Sequence, residues 1–422
     1  MDHVIRVDTP AVTFGQGAIA ELGAIAQELS ISEAMIMTDA GLSQHPALAE
    51  INNGLEQTGI ETVLFDQVRV EPTDQSLMAA REAILAAHGV DGIISFGGGS
   101  VIDTAKAANL YSTYPAPFLT YVNAPVGEGK PVPGPLKPHI AIPTTCGTGS
   151  EATGISVFDY LPMQAKTGIM SRRLLPDHAI VDPDLLASLP PLVLASTALD
   201  LLCHALEAMS CRASIERAVP AAPGLRPMTQ GANRWSQPVA ASAIASFAQN
   251  FEGAIQGDAA ARGELLWAAY LAGNAFGNAG CHVPHALSYP VSGLVRDYRP
   301  QGYPQDEPMV PHGIAVVLNA PSTYRLIGPH APQLHAEMAG LLGINMTGTP
   351  VSDAGEAIAG YFISMMRAAG FPSGLKELGF TSNDVPALVS GAIPQRRLLD
   401  NSPRQLDAAA VAGLYEQALA YW

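Results

Sequence analysis

Residues 92–106, GIISFGGGSVIDTAK, predict a buried β-strand that turns directly into a helix. The apolar run GIISF is followed by the glycines 97–99, and Ser100 stands where a helix would begin. Glycines let the backbone approach an anion closely, and a helix N-terminus offers unbonded N–H groups at the positive end of its dipole. We therefore predict a phosphate-binding corner. A purely structural glycine turn is the alternative, because the spacing GxGxxG is absent.

Short apolar runs of the same kind alternate with helical patterns up to about residue 187. They are EAMIMTDAG (33–41), ETVLFDQV (61–68), PHIAIPTT (138–145) and HAIVDP (178–183). This alternation indicates a parallel α/β sheet. Beyond it, segments rich in alanine and leucine show helical spacing at 238–255, 262–278 and 352–369. The sequence thus predicts an α/β domain over 1–187 and a helical domain over 188–422.

Two further features of the first domain suggest contacts with a nucleotide. The stretch IPTTCGTGSEAT (142–153) follows an apolar run and carries five hydroxyl side chains, a density typical of phosphate or ribose contacts, although a solvated turn has the same composition. Asp39 ends the strand AMIMTD, where a carboxylate accepts hydrogen bonds from ribose hydroxyls and repels a 2′-phosphate. Asp39 therefore favours NAD over NADP, unless it only forms a turn.

The second domain contains acidic and imidazole side chains in apolar surroundings. In TALDLLCHALEA (197–208), Asp200 and His204 are one helical turn apart, so both side chains share a face and can converge on one ion. His285 in CHVPHALSYP and His312 in MVPHGIAVV follow on turn-like sequence. One Asp and three His suit Fe²⁺ or Zn²⁺ and leave a position open for substrate. Hydrogen-bonded core histidines are the alternative.

Composition excludes several classes of partner. The 422 residues are 48% hydrophobic and 14% charged, and the mean hydropathy is +0.18. This composition provides enough apolar surface for large cores and a subunit contact, and we expect a homodimer. The net charge of -16 repels nucleic acid and anionic membranes. Four cysteines without CxxC spacing indicate neither a disulfide framework nor a thiolate zinc site. With no run of 18 apolar residues and no recognisable targeting segment, a cytoplasmic location is predicted.

These motifs together resemble the iron-containing alcohol dehydrogenase family. GGGSVIDTAK, PTTCGTGSE, Asp200-x3-His204, His285 and PHG at 311–313 occur in the family's order across nearly the whole chain. KPHIAIPTTCGTGSEATG, AKTGI, RPMTQGAN, HALSYPVSGLV and PHGIAVVL resemble more closely its hydroxyacid–oxoacid transhydrogenase branch. The resemblance implies a dinucleotide-binding α/β domain, an all-α metal-binding domain, and hydride transfer from 4-hydroxybutyrate to 2-oxoglutarate.

The resemblance also implies roles for individual residues. The ligands of Fe²⁺, or of Zn²⁺ or another divalent ion, would be Asp200, His204, His285 and His312. The residues that would hold NAD, besides Asp39, are Gly98, Gly99, Ser100, Asp103, Thr144, Thr145, Thr148, Thr153 and Lys166.

Proton transfer and substrate binding are the least determined roles. Many family members have a second histidine four residues after the ligand matched by His285, but this chain has Tyr289 there. Tyr289 or His282 could carry the proton, and alternatively Tyr289 only walls the pocket. In LRPMTQGAN, Arg226 is the first candidate for binding a substrate carboxylate, because a guanidinium offers a bidentate fork. Arg172 and Arg173 are weaker candidates, and Arg226 could instead tie its loop to a neighbouring acid.

Three other functions compete with transhydrogenation. The chain could be an ordinary NAD-dependent alcohol dehydrogenase that acts on another alcohol and aldehyde. It could be an NAD- and metal-using cyclase or lyase resembling dehydroquinate synthase, although that relative lacks PTTCGTGSE. A structural or binding protein would have no use for four converging ligands beside a phosphate-binding corner.

Overall fold

In the part of the chain that the structure describes, six parallel strands form one sheet, and two further strands form a separate antiparallel pair. The strands are β1 Ala11–Phe14, β2 Glu33–Asp39, β3 Glu61–Val68, β4 Gly92–Gly97, β5 His139–Pro143, β6 Ile155–Tyr160, β7 Ala165–Met170 and β8 His178–Val181. The order across the large sheet is β1-β8-β5-β4-β2-β3. This computed structural model describes residues 1–163 and 165–422.

Helices cover both faces of the large sheet. They are α1 Leu22–Glu28, α2 Pro46–Gln57, α3 Asp74–Ala86 and α4 Gly99–Thr113. Ile94 of β4 packs in one apolar cluster with Ile51 of α2, while its neighbour Ile93 packs in another with Val101 of α4. Successive strand residues point to opposite faces, so a sheet covered on both sides requires continuous apolar runs. GIISF is such a run, which is why it predicts a buried strand.

The strand order brings the ends of β2 and β4 together at a switch point. The chain leaves β2 for β3 on one side and returns to β4 on the other side of β2. In open parallel sheets, ligands bind beyond the carboxyl ends of the strands at such a point. Asp39 ends β2 and Gly97 ends β4. Both therefore lie at the strand ends where open parallel sheets commonly bind ligands.

The rest of the described chain is mainly helical. The helices are α5 Pro191–Ser210, α6 Ser236–Ile255, α7 Ala259–Ala279, α8 Val283–Gly293, α9 His312–Val317, α10 Ala320–Ile327, α11 Pro332–Leu341, α12 Ala354–Ala368, α13 Val385–Ala392, α14 Arg396–Leu399 and α15 Ala408–Ala418. α5 begins with Pro191, whose fixed φ suits a first helical turn. It is long and apolar enough to cross a membrane, but 89% of that stretch is buried inside the protein, as in a core helix.

Contacts divide the chain into two units. The α/β unit comprises Asp8–Leu189 and Arg262–Gly273, and the helical unit comprises Met1–Val7, Pro190–Ala261 and Asn274–Trp422. Each unit thus includes a short segment from the other side of the predicted boundary at 187/188, and that boundary stays a prediction. The predicted class, a parallel α/β part followed by a helical part, is confirmed. β1 and the β6–β7 pair were not predicted from the sequence.

Candidate functional site

Four side chains of the helical unit converge on one point. Asp200 and His204 lie on α5, His285 on α8 and His312 at the first position of α9. Each offers one ligand atom, and these atoms all lie within 4.8 Å of one another. The Nε2 atom of His285 is 2.9 Å from Nε2 of His204 and 3.7 Å from Oδ1 of Asp200. The structure therefore brings together all four residues that the sequence analysis named as metal ligands.

Close helix packing places His312 in this cluster. α9 crosses α5 at Gly313, where an added Cβ atom would lie 2.5 Å from the carbonyl oxygen of Ser196 and 3.3 Å from Cβ of Asp200. Only glycine fits this approach without a shift of α9, because real Cβ atoms essentially never come within 3.0 Å of another heavy atom. The glycine of PHG thus lets the preceding histidine reach the ligands on α5.

The donor set of the cluster fits a divalent ion. One carboxylate and three imidazoles are hard-to-borderline ligands of the kind that bind Fe²⁺ or Zn²⁺. Asp200, His204 and His285 are almost completely buried, and the ring of His204 stacks on Phe276 with 4.2 Å between centroids. Burial alone would lower the pKa of His285, but the carboxylates of Glu207 and Asp200 outweigh it and raise that pKa. The cluster can thus hold an ion in a site whose side chains are fixed by packing.

Glu207 is a functional candidate that the sequence analysis missed. It is fully buried on α5, three residues after His204. Its Oε1 lies 2.6 Å from Nδ1 of His285, and its Oε2 accepts a hydrogen bond of 2.5 Å from the backbone N–H of His282. Burial alone would raise the pKa of Glu207, but His285 and His282 outweigh it and lower that pKa. The signal in the sequence was an acidic residue in an apolar helix, at helical spacing from His204.

The two candidates for proton transfer differ in their surroundings. Tyr289 is buried one turn after His285 on α8. His282 is fully buried, with Nδ1 accepting from the N–H of Val283 at 2.7 Å and Nε2 lying 2.9 Å from Oγ of Ser210. Burial lowers the pKa of His282 to about 4. These contacts favour a structural role for His282, because both ring nitrogens are occupied within the protein.

In the α/β unit, the glycine turn and the threonine-rich loop pack against each other. Gly98 caps α4, and a Cβ atom on it would lie 3.1 Å from Cγ2 of Thr145. A Cβ atom on Gly99 would lie 2.6 Å from Cγ2 of Thr148. The backbone N–H of Thr144 donates to the carbonyl of Gly97 at 3.1 Å. The two motifs thus form one corner at the N-terminus of α4, where a side chain in place of glycine would collide with the threonines.

Asp39 lies at the end of β2, the strand next to β4, and caps a turn. Its Oδ1 accepts hydrogen bonds from the N–H groups of Gly41 at 2.8 Å and Leu42 at 3.2 Å. Burial raises the pKa of the Asp39 carboxyl group, and these two hydrogen bonds oppose the rise. The turn-forming alternative is therefore realised by Oδ1, and neither of these two hydrogen bonds uses Oδ2.

Asp103 and Thr153 belong to a buried network centred on Lys106. Lys106 donates to the carbonyl of Ser150 at 2.7 Å and lies 3.4 Å from both Asp103 Oδ1 and Thr153 Oγ1. The other oxygen of Asp103 accepts from the N–H of Val157 at 2.8 Å, and Ser150 donates its hydroxyl proton to Oδ1. Asp103 and Thr153 thus brace the loop that carries the threonines.

Ser100 and Lys166 are held by Glu71. The hydroxyl oxygen of Ser100 accepts from the backbone N–H of Glu71 at 3.1 Å. The buried ammonium of Lys166 contacts Glu71 at 2.7 Å and Asp159 at 3.1 Å. Burial alone would lower the pKa of Lys166, but these two carboxylates outweigh it and raise that pKa. Lys166 is therefore an internally paired cation in this structure.

Arg226 is paired inside the helical unit. Its guanidinium donates to the carboxylate of Asp2 and to the carbonyl of Val4. These contacts show the alternative in which Arg226 ties its loop to a neighbouring acid. Arg172 is likewise paired with Asp8, at 2.5 Å.

Comparison with known proteins identifies relatives along the whole chain. The family model described as "Iron-containing alcohol dehydrogenase" matches residues 9–183, and the model "Fe-containing alcohol dehydrogenase family, C-terminal" matches residues 228–419. The mouse (Mus musculus) protein "Hydroxyacid-oxoacid transhydrogenase, mitochondrial" is 40% identical over 99% of this chain and 90% of its own length.

Solved structures share the fold. A 1,3-propanediol oxidoreductase superposes with a TM-score of 0.86 and 28% identity, covering 99% of this chain and 100% of that one. Sulfoacetaldehyde reductase from Bifidobacterium kashiwanohense, solved in complex with NAD⁺, gives a TM-score of 0.79 at 24% identity and covers 99% of each chain. At that identity the second likeness concerns the fold alone.

The expected cytoplasmic location is wrong. Relatives at 40% identity from mouse and Xenopus laevis are named as mitochondrial enzymes. The expectation came from the lack of a long apolar run and of a recognisable targeting segment, and neither of these features identifies a compartment.

Proposed function

Because the chain belongs to the iron-containing alcohol dehydrogenase family, we propose that it is a metal-dependent, NAD-linked oxidoreductase that transfers hydride from a hydroxyacid to an oxoacid. The substrates are 4-hydroxybutyrate and 2-oxoglutarate. The observation that carries the proposal is the convergence of one carboxylate and three imidazoles within 4.8 Å of one another. The 40% identity to a hydroxyacid–oxoacid transhydrogenase along 99% of the chain supports a hydroxyacid and an oxoacid as the substrate classes.

The metal would be held by Asp200, His204, His285 and His312. A bound divalent ion supplies a Lewis acid that stabilises negative charge on the substrate oxygen. Fe²⁺ is the proposed ion, and Zn²⁺ is compatible with the same donors. The role of the protein is to hold four ligands in a buried arrangement before the ion binds, so that little side-chain entropy is lost on binding.

NAD would bind at the corner formed by the glycine turn and the threonine-rich loop. The diphosphate would bind at the N-terminus of α4, where Gly98 and Gly99 lack side chains and so let Thr145 and Thr148 pack against the turn. Asp39 would accept from the adenosine ribose through Oδ2. The remaining cofactor candidates shape the corner through their internal contacts: Ser100, Asp103, Thr144, Thr153 and Lys166. The bound nicotinamide supplies the hydride acceptor and donor.

Tyr289 is the proposed proton carrier. It lies one turn after His285 on α8, whereas the ring nitrogens of His282 are engaged with Val283 and Ser210. A Tyr289→Phe variant should therefore lower kcat more than His282→Gln does. Equal effects of the two substitutions on kcat would indicate that Tyr289 only lines the pocket.

Product analysis without added nucleotide tests the function. Purified protein loaded anaerobically with Fe²⁺ is incubated with 4-hydroxybutyrate and 2-oxoglutarate, and the products are identified by mass spectrometry. We expect succinate semialdehyde and 2-hydroxyglutarate in equal amounts, because one substrate reduces a retained cofactor and the other reoxidises it. Strict dependence on added NAD would identify an ordinary alcohol dehydrogenase of the same family instead. No oxidation of any alcohol in the presence of metal and NAD would reject both.

A further inference from the structure

We propose that Glu207 is a positioning residue that fixes the tautomer and orientation of His285, so that Nε2 of this histidine faces the ligand cluster with its lone pair. The proposal rests on the metal site of the proposed function and is independent of which substrates are used. Glu207 itself is not a ligand in it.

The hydrogen bonds of Glu207 determine the tautomer. The backbone N–H of His282 can only donate, so it occupies Oε2 of Glu207. Oε1 is 2.6 Å from Nδ1 of His285, and two acceptors cannot stand at that distance, so Nδ1 carries a proton. The form of His285 that binds a metal ion is the neutral imidazole, which has one proton; with that proton on Nδ1, Nε2 keeps its lone pair. That atom points to His204 and Asp200, at 2.9 and 3.7 Å.

The position of Glu207 on α5 lets it act directly on the orientation of His285. α5 carries Asp200 and His204, and Glu207 follows them on the same helix, so one rigid element holds two ligands and orients a third that comes from α8. Glu207 is fully buried, and water cannot replace its contact with His285. A carboxylate that binds the outer nitrogen of a ligand histidine also raises the basicity of the inner nitrogen.

A rival arrangement uses the same residues. Glu207, Cys281 and His285 also place ligand atoms within 4.8 Å of one another. An ion in that cluster would displace the proton from Nδ1 of His285 and would need the thiolate of Cys281. The four-residue cluster offers one more ligand than this one and leaves the contact between Glu207 and His285 in place. Geometry therefore favours the orienting role.

Replacement of Glu207 by glutamine gives the sharpest test. The amide has one acceptor oxygen, and the N–H of His282 takes it, so the NH₂ group faces Nδ1 of His285. Nδ1 must then accept, and the proton moves to Nε2, where it blocks metal binding. We expect the Kd for Co²⁺, measured by chelator competition, to rise about 10- to 100-fold in Glu207→Gln. Long-range ¹H–¹⁵N spectra of histidine-labelled protein at pH 8 should show Nδ1–H in the Zn²⁺-loaded wild type and Nε2–H in the variant.

Cys281→Ser is the matched control, because it removes the thiol and leaves the contact between Glu207 and His285 in place. We expect its Kd for Co²⁺ to stay within about twofold of wild type. If Glu207→Gln does not fold, Glu207→Asp, which keeps the charge but shortens the side chain, should also weaken Co²⁺ binding.

Three outcomes overturn the proposal. The first is an unchanged Co²⁺ affinity in the folded Glu207 variant. The second is an equal loss of Co²⁺ affinity in Cys281→Ser, which would place the ion in the rival cluster. The third is a wild-type protein that binds no Co²⁺. A protein that binds Co²⁺ as expected but does not convert 4-hydroxybutyrate would refute the proposed substrates and leave the role of Glu207 intact.

Discussion

Gly313→Ala should weaken metal binding although it removes no ligand, because the added methyl group collides with α5. The new Cβ atom would lie 2.5 Å from the carbonyl oxygen of Ser196, and an ordinary contact begins at 3.4 Å, so α9 must move by about 0.9 Å. His312 moves with α9, because it is the adjacent residue. Ligand distances in metal sites are held to within about 0.2 Å. The shift thus takes His312 out of its place in the cluster.

The size of the change in metal affinity follows from the strain. Overpacking of this kind costs about 1–3 kcal/mol. The metal-free protein can relieve the strain by moving α9, but metal binding requires α9 to return, so the strain opposes binding. At about 1.4 kcal/mol per factor of ten, the Kd for the metal should rise roughly 5- to 140-fold. Co²⁺ titration measures this change, and urea denaturation of the metal-free protein measures the part that remains as lost stability.

Gly360→Ala provides the matched control. Gly360 lies within α12, and an added Cβ atom there would meet nothing within 4 Å. Alanine should stabilise that helix by roughly 0.5–1 kcal/mol and leave metal affinity unchanged. A Gly313→Ala protein with wild-type stability and wild-type Co²⁺ affinity would refute the packing argument and, with it, the placement of His312.

Three further predictions concern single side chains. His285→Ala should lose most of the bound metal, whereas His282→Ala should retain the metal but have reduced stability. Metal analysis of both proteins tests this, and full metal content in His285→Ala would refute the role of His285 as a ligand. Asp39→Gly should reduce the preference for NAD over NADP, measured as the ratio of kcat/KM values, and an unchanged ratio would limit Asp39 to its turn. Burial raises the pKa of Glu151 to about 7, so the unfolded chain loses this proton at lower pH than the folded protein. Stability should then fall by about 3 kcal/mol from pH 4.5 to 7 through this group, and Glu151→Gln should flatten that part of the urea-measured pH profile.

Sequence patterns predicted the elements that depend on local chemistry. The buried strands were predictable because a sheet covered on both faces needs uninterrupted apolar runs, as in GIISF. Asp200 and His204 were predictable because their spacing equals one helical turn. β1 was missed because it has four residues, none of them fully buried.

Contacts between distant parts of the chain could not be predicted in the same way. Arg226 pairs with Asp2, 224 positions away, and no local pattern indicates that partner. Glu207 has the helical spacing that identified its neighbours, but its importance depends on His285, which arrives 78 residues later. The resemblance to a family supplied the convergence of His285 and His312 on α5, which spacing alone left open.

An isotope-transfer measurement shows whether hydride passes from the hydroxyacid to the oxoacid through a retained cofactor. Fe²⁺-loaded protein without added nucleotide is given 2-oxoglutarate and 4-hydroxybutyrate deuterated at the carbinol carbon. We expect deuterium on the carbinol carbon of 2-hydroxyglutarate, because the hydride passes through a cofactor that stays bound. Unlabelled 2-hydroxyglutarate, or no product until NAD is added, would contradict it.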